Sequence, residues 1–248
     1  MKLPKKLKHD YLQDAILEIR FYSDFSDVLI PGILKTHLKD FRYVPPRQIR
    51  KPVAGSGSPL MSIETAAGLF VKEKDYFGVK YLPGNPGSLS INMTQKYRGW
   101  KAYRDFLYEI MQAANKGGII DNISRMGLRY ISVHPVENVF NCIDGTFSLS
   151  INDESISNEN ATLRVEDVVD GYKRIIQVAN RKRSGNDKND NKHWGIFDID
   201  MHAVSSDDQN LSDFDSFWGT VDHMHTLQKQ SYFGLLTQEY LKSLGPEY

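Results

Sequence analysis

The stretch SRMGLRYISVHP, residues 124–135, has the alternation of a β-strand and yet carries two arginines. Successive side chains of a strand point to opposite faces of the sheet. One face would therefore be basic and the other mainly apolar: Arg125, Gly127, Arg129 and Ile131 against Met126, Leu128, Tyr130 and Ser132. The pattern predicts a strand over residues 123–133 that separates these two faces.

Charged groups on a sheet face need partners, because a stranded buried charge costs several kcal/mol. We predict a structural network that links Arg125 and Arg129 to Glu18 on the first strand or to Asp222. The alternative is an anion site: Gly127 leaves a gap in which two guanidinium groups could hold a phosphate or carboxylate. The candidate ligand-binding residues are Arg125, Arg129, Tyr130, Glu18 and Arg20.

Composition limits the partners of the chain. Its 248 residues include 31 basic and 31 acidic ones, so it lacks the basic excess of a general nucleic-acid or anionic-membrane binder. The one cysteine, Cys142, excludes an intrachain disulfide and a cysteine-based zinc cluster. The basic start has no apolar leader behind it, and no window approaches the roughly 18 apolar residues of a membrane span. We expect a cytoplasmic protein with neither a membrane nor a specific nucleic-acid partner.

Strand-like runs separated by turns, with few helical crossovers, predict an α+β fold with a curved antiparallel sheet or sheets packed with two or three longer helices. Besides the central strand, the predicted strands cover residues 14–23, 60–73, 76–83, 88–94, 146–153, 161–169, 172–181 and 193–204. The predicted helices start near Pro31, cover residues 97–118, and run from Asp213 to a break near residues 233–234, with a last short helix to Leu244.

We treat residues 1–248 as one compact unit that could divide into lobes 9–135 and 136–248. Each half offers strands followed by a helix that opens with an aromatic pair, which indicates two similar strand-then-helix halves. The pairs are Tyr97 with Trp100 and Phe214 with Trp218.

Three blocks of the sequence resemble the signature of a known family: DAILEIRF near the start, RMGLRYIS in the middle and VDHMHTLQKQSYFGLLTQEYLKSL at the end. The family is a sporadically distributed, uncharacterised group of bacterial and archaeal proteins of similar length. Its middle block ends in asparagine where this chain has Ser132, and its closing block matches Asp222, His225, Phe233 and Thr237. The resemblance implies no known activity or cofactor, and it implies an accessory of a mobile or defence-related gene set.

Three other motifs are candidates for chemistry. Asp198, Asp200 and His202 alternate on one face of a predicted strand and could ligate a divalent metal, or could simply form a polar outer face. Asp222 and His225 are three residues apart on a helix, so they could act as acid and base, or His225 could be a buried structural histidine or a pH switch. The segment AGSGSP, residues 54–59, lacks the strand and lysine of a nucleotide loop, so we interpret it as a flexible loop.

The absence of a catalytic motif favours a non-enzymatic protein-binding or accessory factor, of the immunity, antitoxin-like or phage-defence-associated kind, with a protein partner and no cofactor. The alternative is a sensor or enzyme for a small anion, such as a nucleotide or phosphometabolite, that uses Arg125 and Arg129 with Asp222 and His225. A metal-dependent nuclease or phosphoesterase built on Asp198, Asp200 and His202 is a third hypothesis. Long exposed β edges leave a homodimer open.

Overall fold

The computed structural model describes residues 2–45, 48–52, 61–65, 68–73, 77–94, 97–145, 150–151, 154–155, 160–183, 192–204 and 211–248. Its main feature is an open antiparallel sheet of nine strands. In chain order these are β1 (Leu12–Tyr22), β2 (Arg42–Val44), β3 (Gly68–Lys72), β4 (Phe77–Leu82), β5 (Gly87–Thr94), β6 (Asn122–His134), β7 (Thr162–Val169), β8 (Tyr172–Arg183) and β9 (Lys192–Val204). The helices are α1 (Ile30–His37), α2 (Trp100–Lys116), α3 (Phe214–Leu235) and α4 (Gln238–Ser243), with a 3₁₀ turn at Val139–Cys142. The α+β class predicted from the sequence is confirmed.

The strand order across the sheet is β7-β8-β9-β6-β1-β5-β4-β3-β2. The opening stretch of the sequence forms β6, which pairs with β1 on one side and β9 on the other. Leu128 of β6 lies opposite both Leu17 of β1 and Met201 of β9. Both predicted lobes therefore contribute strands to the same sheet, and β6 joins them.

One face of the sheet, which we call the covered face, packs against the helices. Alternate residues of the central strands are fully or almost fully buried there: Ala15, Leu17, Ile19, Leu89, Ile91, Met126, Leu128, Ile199 and Met201. From α2 and α3, Tyr103, Leu107 and Met224 enter the same core. Burial of each large aliphatic side chain contributes about 2 kcal/mol, so this face supplies most of the stabilisation.

The helices that cover this face begin and end at recognisable residues. Asp213 caps the N-terminus of α3 and accepts a hydrogen bond from the Ser216 backbone N–H at 2.9 Å. In α2 the helix ends before Gly117 and Gly118, and Gly118 has a φ of +62°, a conformation that favours glycine. The predicted helix over residues 97–118 therefore starts three residues later than expected and ends where expected.

The other face of the sheet, which we call the open face, is not covered by any helix of the described residues. It carries the alternate, mainly polar residues of the same strands: Asp14, Glu18, Arg20, Lys80, Ser88, Ser90, Asn92, Arg125, Arg129, Glu166, Lys173, Gln177, Asp198, Asp200 and His202. The face division predicted for residues 125–132 is confirmed.

Small two-stranded pairs complete the described secondary structure. Lys6–Leu7 pairs with Pro246–Glu247, Gln48–Pro52 with Met61–Thr65, and Ser150–Ile151 with Glu154–Ser155. The predicted run 60–73 contains two strands, Met61–Thr65 and Gly68–Lys72. Within the predicted run 146–153 the structure describes only Ser150–Ile151, which form a strand. The candidate loop at residues 54–59 lies outside the described residues. No helix in the described ranges has the length and apolar character to cross a membrane.

Candidate functional site

The arginines of β6 lie on the open face and are held by carboxylates of the neighbouring strands. Arg125 donates from Nη1 to Glu18 Oε1 at 2.9 Å, and Arg20 donates from Nε to the same oxygen at 3.1 Å. The predicted link between Arg125 and Glu18 is therefore present. It forms because β1 and β6 are paired, with Glu18 opposite Gly127 and Arg20 opposite Arg125.

A histidine of β9 extends this network across the sheet. Arg125 Nη2 is hydrogen-bonded to His202 Nδ1, and His202 Nε2 lies 3.1 Å from Asp200 Oδ2. Arg125 Nη2 also lies 3.3 Å from His202 Nε2, so the imidazole lies between the guanidinium of Arg125 and the carboxylate of Asp200. The side chains thus form a continuous chain from Asp200 to Arg20.

Arg129 makes the second ion pair, which is bidentate. Its Nε and Nη2 donate to the two carboxylate oxygens of Asp198 at 2.8 and 2.6 Å. The Asp198 side chain is only 11% exposed, because it lies on β9 between β6 and β8, whereas that of Arg129 is 44% exposed. Hydrogen bonding to Asp198 raises the pKa of Arg129 above its usual value, so the guanidinium stays charged.

Gly127 fits this network because a side chain at its position would meet His202. A Cβ atom there would lie 3.0 Å from His202 Nδ1 and 3.5 Å from Cε1. The gap that the sequence predicts between the arginines is therefore occupied by an imidazole of the same chain. The arginines Arg20, Arg125 and Arg129 contact the carboxylates of Glu18 and Asp198, and His202 joins Asp200 to Arg125. These contacts link β1, β6 and β9, and we call the arrangement the clamp.

Two of the predicted partners lie elsewhere. Asp222 is not bound to the β6 arginines: Arg104 of α2 donates to it from Nε and Nη2, at 2.8 and 2.9 Å. Tyr130, a candidate ligand-binding residue, points to the covered face, where its hydroxyl lies 2.9 Å from His225 Nδ1. Tyr130 is an even-numbered position of β6, so it lies on the opposite face from Arg125 and Arg129. Asp222 and His225 lie on α3, which packs on the covered face, so the sheet separates them from both arginines. One small ligand therefore cannot contact the arginines and the Asp222–His225 pair together, which corrects the combined site that the sequence suggested.

His225 is held by aromatic rings rather than by a carboxylate. Its ring stacks on Trp100, with centroids 3.8 Å apart and planes 6° from parallel. Burial lowers the pKa of His225 to about 4, with a smaller contribution from Lys229, so the imidazole is neutral near pH 7. The carboxylate of Asp222 is already bound to Arg104. These contacts favour the structural interpretation of His225 over the acid–base one.

A further histidine on the covered side, His134, is not indicated by any motif of the sequence. His134, at the end of β6, is fully buried, and its ring nitrogens lie 2.7 Å from the Tyr240 hydroxyl and 3.2 Å from the Tyr232 hydroxyl. Burial lowers its pKa to about 4. Its even-numbered position on β6 marks it as facing the core, but its tyrosine partners are about 100 residues further along the chain and no local pattern indicates them.

The candidate metal ligands are engaged with protein groups. Asp198 binds Arg129, and Asp200 and His202 bind each other. Within the part of the chain that the structure describes, no group of three or more histidine, cysteine, aspartate or glutamate side chains is arranged to hold a metal ion. Asp198 is the only one of the three whose carboxylate is bound at both oxygens by an arginine.

The comparisons with known proteins give no family: no family model matches this sequence, and no curated protein matches it significantly.

Proposed function

We propose that this protein is a non-enzymatic binding factor that acts through a protein partner and presents the open face to it. The observation that carries the proposal is the combination of a broad, polar sheet face with arginines that already have carboxylate partners. Arg125 is bound to Glu18 and His202, and Arg129 to Asp198, so their role is to hold the strands together.

The size of the open face suits a protein partner. Nine strands about 4.8 Å apart make a face roughly 40 Å wide, and strands of a dozen residues are about as long. A standard protein interface needs only about 800 Å² on each partner. Exposed side chains of this face, such as Lys80 of β4 and Arg20 of β1, are available for contact, and the clamp holds the strands beneath them together.

The biological class of the factor is proposed from the sequence. The three sequence blocks that resemble a sporadic prokaryotic family support an accessory role of the immunity, antitoxin-like or defence-associated kind. The neutral net charge supports a protein rather than a nucleic acid as the partner.

Purification of the untagged protein from its native host, followed by native mass spectrometry, tests the proposal. We expect a protein partner in near-stoichiometric amount. Lys80→Glu on the open face should release this partner without changing the melting temperature of the protein. The matched control is Lys101→Glu, an exposed residue of α2 on the helical side, which should retain the partner.

The proposal fails if no partner is found under these conditions. It also fails if Lys80→Glu and Lys101→Glu bind the partner equally well, because the open face would then not be the docking surface.

A small-anion sensor is the second candidate, and the exposure of Arg129 favours it. Nearly half of this side chain is accessible, so an anion could compete with Asp198 for the guanidinium. Inorganic phosphate and ATP should then raise the melting temperature of the wild type by mass action, and Arg129→Met should abolish the rise. An unchanged melting temperature of the wild type with both ligands would eliminate this candidate.

A further inference from the structure

The two edges of the nine-stranded sheet differ in length and exposure. One edge is β2, which has three residues, whereas the other is β7, which has eight. In the described residues β7 pairs only with β8, and its outer side has no strand next to it. Val165 and Val168 on this strand are 44% and 72% exposed. A long β-branched edge of this kind is a template for another strand.

The backbone groups that face outward on β7 can be assigned from the hydrogen-bond pattern. The N–H of Asn180 donates to the C=O of Ala161 at 2.9 Å, which makes these two residues a hydrogen-bonded pair. Antiparallel pairs alternate between bonded and non-bonded, so residues 163, 165, 167 and 169 also direct their backbone groups to β8. The backbone groups of the alternate residues consequently point away from β8, in the plane of the sheet and toward its free edge. These are the N–H and C=O groups of Thr162, Arg164, Glu166 and Val168.

The sequence of β7 is complementary to itself in one register. Consider two copies of β7 that pair antiparallel about a twofold axis perpendicular to the sheet. Residues that lie opposite each other point to the same face, so their numbers differ by an even number. One residue must therefore lie opposite its own copy, and the axis passes between the two. With the axis at Val165, Arg164 lies opposite Glu166 of the other copy, and Thr162 lies opposite Val168. The twofold axis makes each of these two pairs occur twice, and each of the four resulting pairs exchanges two backbone hydrogen bonds. The outward backbone groups of residues 162, 164, 166 and 168 of both strands are then all paired.

The neighbouring registers are unfavourable. An axis at Glu166 places two glutamates directly opposite each other, and an axis at Arg164 does the same with two arginines. Like charges directly opposite each other destabilise a strand pair. Moving the axis to Arg164 or to Glu166 also leaves outward backbone groups unpaired at the ends of the two β7 strands. The charges of β7 therefore select one alignment.

Contacts with β8 and α3 hold the edge strand β7 in position for pairing with a second copy. Arg174 of β8 binds Asp167 of β7 with Nε and Nη2, and donates from Nη1 to Ser231 of α3 at 3.0 Å. Arg164 and Glu166 lie on the open face, where they pair with each other at 2.5 Å and Glu166 also binds Lys173 of β8 at 2.7 Å. Pairing with the same residue types on another copy therefore introduces no new kind of charge contact. An Asp170-Gly171 turn with positive φ at both residues ends the strand.

From this geometry we infer that the protein forms a homodimer in which two β7 strands pair antiparallel about Val165, so that the two sheets become continuous. The occupant of the edge is a second copy of this chain, because the order of charges fits itself. The inference is independent of the proposed partner on the open face.

Sedimentation equilibrium of the full chain, over a range of concentrations, tests the inference. The wild type is expected at twice the mass of one chain. Arg164→Glu and Glu166→Arg each place like charges opposite each other twice in the dimer, so each should weaken dimerisation at least about tenfold. The double variant Arg164→Glu/Glu166→Arg restores both pairs and should dimerise like the wild type.

A mixing experiment separates the charge effect from misfolding. An equimolar mixture of Arg164→Glu and Glu166→Arg pairs opposite charges at both positions, so it should form a heterodimer although neither variant dimerises well alone. Lys101→Glu, on α2, is the control and should dimerise normally. A wild type that has the mass of one chain up to about 100 µM overturns the inference. So does a dimer that neither single variant weakens, or a mixture that forms no heterodimer.

Discussion

The covered and open faces of the sheet are built from the same strands but hold their polar side chains in different ways. On the covered face, His134 and His225 are enclosed by aromatic rings, which favour the neutral imidazole. On the open face, Arg125 and Arg129 keep their charge and are matched by carboxylates. Within β6, the two-residue period thus separates Tyr130 and His134, which lie among aromatic rings, from the ion-paired Arg125 and Arg129.

Acid should affect the covered face most. The folded-state pKa of His134 and of His225 is about 4, below the value of about 6.5 expected in the unfolded chain. As pH falls from about 6.5, the unfolded chain takes up protons first, so stability is lost progressively until about pH 4, by up to about 3 kcal/mol for each histidine. Urea unfolding between pH 7 and 4.5 measures this loss.

Carboxylates also titrate in this window, so variants must isolate the histidines. His134→Gln and His225→Gln should each lower stability at pH 7 and flatten its dependence on pH. If both variants keep the wild-type slope between pH 6.5 and 4.5, the two histidines are not the cause and the contrast between the faces is lost.

Adjacent residues of β1 provide a direct comparison of the faces. Leu17→Ala removes a fully buried side chain from the covered face and should lower the free energy of unfolding by about 3 kcal/mol. Ile16→Ala, on the half-buried open side, should cost less than about 1 kcal/mol. Urea denaturation measures both. Equal losses would mean that the open face is packed as tightly as the covered one.

Two ion pairs, Arg129–Asp198 on the open face and Arg104–Asp222 between the helices, extend the comparison of the two sides of the sheet. Arg129→Ala leaves the mostly buried Asp198 carboxylate without its arginine and should cost about 2 kcal/mol. Arg104→Ala removes the partner of the more exposed Asp222 and should cost less than about 1 kcal/mol. Thermal and urea unfolding of the two variants tests this order, and the opposite order would show that the clamp on the open face is not the stronger one.

The smallest expected effect concerns the close approach at Gly127. Gly127→Ala forces the His202 ring to move, because the new methyl group would lie 3.0 Å from Nδ1, and should cost about 1 kcal/mol. The control is Gly219→Ala in α3, where no heavy atom lies within 4 Å of the added Cβ and helix propensity should stabilise by up to about 1 kcal/mol. Differential scanning calorimetry should give shifts of opposite sign, and a stabilising Gly127→Ala would exclude the packing of His202 on this glycine.

Local periodicity accounts for what could be predicted. The two-residue alternation of residues 124–135 placed Arg125 and Arg129 on one face and Leu128 on the other. The glycines after residue 116 marked the end of α2, and Pro31 marked the first turn of α1, which begins at Ile30. These features depend on neighbouring residues, so they are readable without the fold. The roles proposed for the arginines stay predictions.

Apart from the predicted Arg125–Glu18 pair, whose members are 107 residues apart, partners that come from distant parts of the chain could not be predicted. Arg129 binds Asp198 because β9 lies next to β6, and Asp222 binds Arg104 because α3 lies beside α2. Gln228 of α3 donates from its amide to the backbone carbonyls of Leu128 and Ile199, at 2.6 and 2.8 Å, and no pattern in the sequence indicates this contact.

The sequence by itself determined where most of the longer strands and helices lie, which face of β6 is apolar, and the balance of charge, because each follows from local spacing and composition. It did not indicate the short edge strand β2. The tertiary structure alone decided the order of the strands and therefore which charges meet. Strand order depends on how strands far apart in the chain pack around one core, so the partner of Arg129 was fixed only when β9 was placed beside β6.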